Sequence, residues 1–438
     1  MNDAAPTVVT GRSDNAVADT HQKALEVNLD ATSFGSFAEI GAGQEVARWF
    51  LRVGAASGTV AKTISAYDKE VSDDLYGSGT RYVSRPRLET MLDCEWKSLV
   101  QQVGDARGKN TRLFAFANTI AARNFAGTND CHGWVGVRFQ DQPRAEASDV
   151  LLHVNLLDNS NLLQQEAMGV LGVNLLHALL NERAATGDLP ARMFANLTND
   201  RLEIDRIVAR GSAFESCDMG ELHTALARDG RAEAVTLDGD GAAATANEFL
   251  YKKSVVIVPF TTDPLDNLSP EAIKACLETL RYEVAGNPEV KDVIDVRLMV
   301  VDTDASLPAT GEGAAMITRH RQLYRITAFV RRYTQAPLRF AMPLPALMRI
   351  FDDVKYQQLE GRLLEGIARL FGSNVRLLAC PCPRDELLHL LTTESGHGWE
   401  VDGNRQWITA EQLRPAPPLR HLYEYLLASG FLVAMPPN

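Results

Sequence analysis

The sequence predicts an α/β protein of two domains, each a mainly parallel sheet with helices on its faces, behind a polar N-terminal arm. Three observations carry this reading. The chain has 438 residues, more than a single hydrophobic core usually serves. Along most of it, apolar runs of strand length alternate with segments of helical period, the pattern of a parallel sheet. One stretch breaks that alternation: Asp238-Gly239-Asp240-Gly241-Ala242-Ala243-Ala244 is small, acidic and without period, as a linker would be. These place an arm over 1–24, a first α/β domain over 25–237, a linker over 238–247 and a second α/β domain over 248–438.

The arm is rich in Ala, Asp, Asn and Thr with no apolar period; alone, such a segment stays disordered, and docking is what would order it. Leu25–Leu29 alternates as a short strand does. Val46, Phe50 and Val53 recur at helical spacing over Gln44–Val53, and Leu88, Leu92, Leu99 and Val103 do so over Arg87–Val103. Strands are predicted at Arg112–Ala117, Trp134–Phe139, Val150–Leu157 and Arg201–Ala209, with a long helix over Asn161–Leu180. Beyond the linker, strands at Val255–Phe260, Val296–Val301, Leu338–Met342 and Val375–Ala379 alternate with helices at Pro270–Val284, Gln322–Tyr333, Leu344–Asp353 and Glu360–Phe371.

The formal net charge is −12. Nucleic-acid binding needs clustered Lys and Arg, so no nucleic-acid partner is expected. The N-terminus has no basic segment followed by an apolar one, and no run of 18 apolar residues occurs; neither a signal peptide nor a membrane span is predicted. Six scattered cysteines fit a reduced, cytoplasmic protein better than a disulfide scaffold.

Three stretches have residues suited to chemistry. In Phe37-Ala38-Glu39-Ile40-Gly41-Ala42-Gly43-Gln44-Glu45, an acid-x-G-x-G order precedes a helix, where backbone N–H groups can seat an anion. Asp68 follows at the distance of a ribose-binding carboxylate, which makes Glu39, Gly41, Gly43 and Asp68 candidates for a nucleotide-like ligand. S-adenosylmethionine and NAD are possible forms of that ligand, and no one cofactor is specified. Glu45 stands where a third glycine would be expected. Gly54–Thr63 has the outline of a P-loop, but Ala61 replaces the glycine before Lys62 and the loop cannot wrap a phosphate; Lys62 stays a candidate anion contact. The densest stretch, Ala122–Trp134, lies between two strands. Arg123 and Asn129 are candidate ligand contacts there, and Cys131 and His132 candidate catalytic groups. Neighbours in an extended segment point to opposite faces, so Cys131 and His132 would not form a dyad. His153 on the next strand is a partner only if the fold brings it near. Cys380-Pro381-Cys382 is a lone C-x-C, and no metal site is predicted.

The runs FGSFAEIGAGQEVARWFLRVGAASGTVAKTISAYDKEVSD, RYVSRPRLETMLDCEW, GTNDCHGWVGVRFQ, LLQQEAMGVLGVNLLHAL and LEGRLLEGIARLFGSNVRLLACP resemble a bacterial family over most of residues 25–385. Its members carry the labels TonB-dependent receptor or nicotinate-nucleotide adenylyltransferase. The first implies an outer-membrane barrel with a signal peptide and some twenty membrane strands, neither of which this sequence offers. The second implies a nicotinate-nucleotide-type ligand and an H-x-G-H loop; the nine histidines form none, Gly396-His397-Gly398 being the nearest. Two readings follow. One is a self-assembling scaffold, a homo-oligomer or filament joined through residues 1–24. The other is an enzyme binding a nucleotide-like ligand at Glu39–Glu45.

Overall fold

The computed structural model describes residues 18–79, 81–182, 188–261, 264–301, 313–372, 374–392 and 398–437. Most of the polar arm, 1–17, therefore lies outside the described residues. The chain divides into two units, Met1–Leu222 and His223–Asn438.

In the first unit the order is α1 (Thr20–Leu29), β1 (Ser33–Ile40), α2 (Glu45–Val53), β2 (Val60–Ile64), α3 (Lys69–Tyr76), α4 (Arg85–Arg107), β3 (Arg112–Ala121), β4 (His132–Gln140), β5 (Ala147–Leu156), α5 (Asn161–His177), α6 (Leu189–Met193) and β6 (Leu202–Arg210). Six strands form one sheet in the order β2-β1-β3-β4-β5-β6. β1 runs parallel to both β2 and β3, whereas β3 to β6 form an antiparallel meander. The α/β class holds, but this sheet is mixed rather than mainly parallel. The reason is connection length: β3, β4 and β5 follow one another without the helical crossover that parallel neighbours require.

The strand expected at Leu25–Leu29 is instead the end of α1. Asp19 caps it by accepting from the Gln22 amide at 2.7 Å, a contact worth about 1 kcal/mol. The buried stripe is Thr20, Lys23, Ala24, Val27 and Asn28, a helical spacing hidden from a hydrophobicity count because three of the five are polar. The donors among them are used inside: the Lys23 amine donates to Asn174 Oδ1, and Asn28 Nδ2 to the carbonyls of Phe50 and Gly54. Phe37 of β1 is fully buried, with its ring centre 5.2–5.9 Å from those of Phe50, Phe114 and Phe116. α1, α2 and α5 share that face of the sheet, and α3 and α4 cover the other.

α7 (Met219–Arg228) contains the division between the units. The 238–247 segment is not a linker between them. β7 (Ala234–Leu237) and β8 (Ala243–Ala244) make a hairpin across it, and α8 (Ala246–Leu250) starts on a reciprocal Thr245–Glu248 capping box. The Asp238 carboxylate accepts from the amides of Asp240 and Ala242, so the acidic, glycine-rich composition belongs to a turn.

The second unit continues with β9 (Lys253–Pro259), α9 (Pro270–Glu283), β10 (Asp292–Val300), β11 (Ala315–Thr318), α10 (Leu323–Arg331), β12 (Leu338–Pro343), α11 (Leu344–Ile350), α12 (Arg362–Leu370), β13 (Val375–Cys380), β14 (Cys382–Pro383), α13 (Arg384–Leu391), β15 (Trp399–Val401), β16 (Trp407–Ile408), β17 (Leu413–Pro415), α14 (Leu419–Ala428) and β18 (Leu432–Ala434). Its main sheet has the order β18-β13-β12-β9-β10-β11-β7-β8. The six strands from β18 to β11 are mutually parallel. Counted in chain order they run 3-2-1-4-5-6, a doubly wound sheet whose order reverses between β9 and β12. Val255, Val256, Ile257, Phe340, Leu377 and Leu378 are buried within it, as strands covered on both faces require. No described helix is long and apolar enough to cross a membrane.

Candidate active site

The parallel strands of the first unit end together, and the segments after β1, after β2 and between β3 and β4 meet at that end of the sheet. β4 starts there and β5 finishes there, paired from His132↔Asn155 to Trp134↔His153. Most of the candidate residues, scattered over about a hundred positions of sequence, are thus brought to one end of the sheet, on two faces; Lys62 lies further down β2, opposite Ser36.

On the α2 and α5 face lies Glu39. Its side chain points inward, 1% exposed. The carboxylate accepts from the amides of Val46 and Ala47 at 3.3 and 2.8 Å and from Asn118 Nδ2 at 3.0 Å. The N–H groups at the start of α2 that were expected to receive a ligand's anion are therefore occupied by the protein's own carboxylate. Burial pushes the Glu39 carboxyl up to about 7, against the lowering effect of those three donors. Gly41 has φ +98° and any Cβ there would collide with the Ile120 carbonyl; its lack of a side chain serves strand packing. Gly43, at φ +69°, passes beside the Gln165 side chain. Lys62 turns away to α4, ion-paired with Glu95 at 2.9 Å and donating to Ser98. The Asp68 carboxylate caps α3 through the amides of Glu70 and Val71. These residues are structural as they stand.

Loop 122–131 is built by its own polar groups. Asn129 accepts from the Asn124 amide and donates to the Ala122 carbonyl. The Arg123 amide donates to Gln164 Oε1, and Gln164, fully buried, also donates to the Asp158 carbonyl. Gln164 thus joins the loop to α5, while Ser160 supplies the helix cap. The Cys131 thiol lies 3.5 Å from the Asn129 carbonyl; the histidine contacts go elsewhere.

On the α4 face, His132 Nδ1 lies 3.1 Å from His153 Nε2. His153 Nδ1 in turn lies 2.6 Å from Asp205 Oδ1, and Asn155 donates to the other Asp205 oxygen at 3.2 Å. The result is a carboxylate–imidazole–imidazole chain. Proton positions follow from the donors and acceptors available. With Asp205 ionised and both rings neutral, the carboxylate can only accept, so His153 carries its proton on Nδ1 and presents a bare Nε2. That nitrogen must accept, so His132 donates from Nδ1. The lone pair of His132 is left on Nε2, at the partly exposed end of the chain. His153 is 5% exposed and packs on Trp134, ring centres 5.1 Å apart, with the Arg206 guanidinium 5.8 Å from the other ring of that stack. Burial, with the His153 ring second, holds His132 below the ordinary histidine value, opposed by Asp130 and Asp205. A neutral imidazole with one fixed tautomer is the state a general base needs near neutrality.

Asp205 escaped the sequence reading. It sits in a bulge: His153 faces Arg206 and Val154 faces Ile204, so Asp205 is the extra residue between the two registers, its Oδ1 2.6 Å from His153 Nδ1. The bulge leaves a trace in the sequence. Leu202, Ile204 and Ile207 are the buried apolar residues of β6, so the period-two alternation slips by one at 205. Among the described residues no group of three or more His, Cys, Asp or Glu is arranged to hold a metal ion. Cys380 and Cys382 are buried, and Cys380 Sγ lies 3.6 Å from Cys276 Sγ.

No protein-family profile matches the chain, and no curated protein does. Solved structures with partial likeness include the competence/damage-inducible protein CihA of Agrobacterium tumefaciens, 20% identical over 31% of this chain and 79% of that one, TM-score 0.23. Another is a competence-damaged protein (CinA) superfamily member from Enterobacter cloacae, 13% identical over 40% of this chain and 100% of that one, TM-score 0.27. A competence or damage-inducible protein of Enterobacter asburiae is similar over 37% of this chain and 96% of that one, 13% identical, TM-score 0.27.

Proposed function

We propose that the chain is an enzyme whose first unit performs general-base chemistry with His132, on a small nucleotide-type molecule. The observation that carries this is the Asp205–His153–His132 chain, which fixes one tautomer and leaves one lone pair at the open end of a sheet. A lone pair so placed takes a proton from water or from the substrate itself as a bond is made or broken. His132 Nε2 is the accepting atom, and the carboxylate of Asp205 stabilises the positive charge that then spreads over the two rings. Taken by itself, the doubly wound second unit is also of a kind that takes nucleotide-type ligands, because such sheets leave a crevice at the carboxyl ends of their strands where the order reverses. Glu39–Glu45 is not an anion seat in this reading, since Glu39 already fills it and lies on the opposite face of the sheet from His132. The scaffold reading drew on the lack of an intact catalytic motif, on glycine- and polar-rich stretches and on the N-terminal arm; the histidine chain weakens the first of these grounds.

The test is turnover. Purified protein is incubated with nucleotides, nucleotide amides and phosphate esters, and the products are followed by mass spectrometry. At least one should be consumed, and H132A should lower the rate by about 10²–10⁴-fold, the usual contribution of a positioned base. Consumption at the parent rate by a folded H132A protein would defeat the proposal.

A further inference from the structure

We propose a second, separate site in the second unit: a phosphate-binding groove between α10 and α12. Tyr324, Thr327 and Arg331 follow one another at helical spacing on α10 and line a depression of about 620 Å³, with Arg325, Gln358 and Arg369 around its mouth. That volume suits a small metabolite.

The floor is polar and unsatisfied. Thr327 is 4% exposed, and its hydroxyl has no hydrogen-bond partner. Arg331 is held rigidly, its Nη1 donating to the carbonyls of Thr334 and Ala336, yet its buried Nε also lacks an acceptor. Leaving such groups unpaired costs about 1–3 kcal/mol each, so both call for an acceptor from outside. The rim supplies charge. The Arg325 and Arg369 guanidinium carbons lie 5.7 and 5.9 Å from the Tyr324 ring centre, and Arg325 and Gln358 both donate to the Tyr324 hydroxyl. Among the described residues, Arg369 alone of the three arginines has a carboxylate of its own, Glu365 at 2.6 Å. The one acid on the lining, Glu233, is engaged by Arg332 and His320. Two guanidinium groups without a carboxylate partner, a hydroxyl with no acceptor and a side-chain amide together suit an oxyanion with several acceptor oxygens. A phosphate group has that chemistry, free or as an ester.

The experiment uses the full chain, with inorganic phosphate and ribose 5-phosphate as probes, titrated by calorimetry at fixed ionic strength. The parent protein should bind one or both at millimolar concentration or below. Thr327→Val, which removes only the hydroxyl, and Arg325→Gln, at an exposed position, should each weaken binding by about tenfold. Tighter binding of the ester identifies a phosphorylated metabolite, and equal binding identifies phosphate itself; both support the site. Without ligand, Thr327→Val should melt no lower than the parent, because the hydroxyl it removes has no partner. A lower melt would mean that the hydroxyl is used within the protein. That result, absence of binding by the folded parent, or binding unchanged in both variants would each overturn the proposal.

Discussion

The two ends of the antiparallel half of the first sheet carry polar clusters on the same face, and they are built differently. At one end Arg138 bridges Asp149 and Asp93 at 2.5–2.9 Å, Arg210 bridges Asp149 and Glu89 at 3.1 Å, and Arg85 completes the set on Glu89. Three cations alternate with three anions, so every charge in the network has its partner within it. At the other end Asp205, His153 and His132 form a chain with one terminus inside the protein and one outside. A closed network holds strands and helix together. An open chain leaves a group whose valence is satisfied only when something else arrives, and this distinction separates the structural cluster from the chemical one.

The comparison breaks most visibly if Asp205 is altered. D205N should keep the fold but lose control of the tautomer at His153, lowering turnover by about 10²–10⁴-fold. Nitrogen NMR should show the Nδ1–H form of His132 in the parent and a mixture in the variant. Next comes the closed end. D149A leaves Arg138 and Arg210 without their shared partner and should destabilise by about 3 kcal/mol in denaturant titration, with the pH profile of turnover unchanged. A third test reads pH. His132 must be neutral to act and is held below the ordinary histidine value. Activity should therefore be present at neutral pH and fall as pH drops through a midpoint under 6.5. A fourth concerns Glu39, whose carboxyl is raised from 4.5 to about 7. A raised acid favours the folded state most fully below its unfolded value and loses that advantage as pH rises through the folded one. The stability difference between parent and E39Q should thus fall by about 3 kcal/mol between pH 4.5 and 7. The smallest effect is expected from R210Q: the side chain is 46% exposed, and its loss should cost no more than about 1 kcal/mol.

Much of the scaffold was legible in the sequence. β3, β5, β9, β12 and β13 are strongly apolar because they are buried on both faces, and α4 and α9 show a plain helical period. α1 was misread because Lys23 and Asn28 occupy its buried stripe, and burial of paired polar groups leaves no hydrophobic signal. The hairpin at 238–247 was misread because turn residues and linker residues are the same residues. At the site, His132 and His153 were named from sequence, but their contact depends on the pairing of Trp134 with His153, which no local pattern encodes. Asp205 depends on a bulge, and only a slip of phase in β6 announces it.

That slip has a consequence for anyone wishing to part this fold from its chemistry. β6 meets β5 in two registers, one on each side of a single extra residue. Deleting Asp205 would let the two halves close into one continuous ladder and would remove the carboxylate in the same stroke. The product should be a protein with the same sheet, a smoother edge strand and an inert pair of histidines. The apparatus for catalysis would then be a one-residue insertion, which a lineage can gain or discard without rebuilding the domain around it.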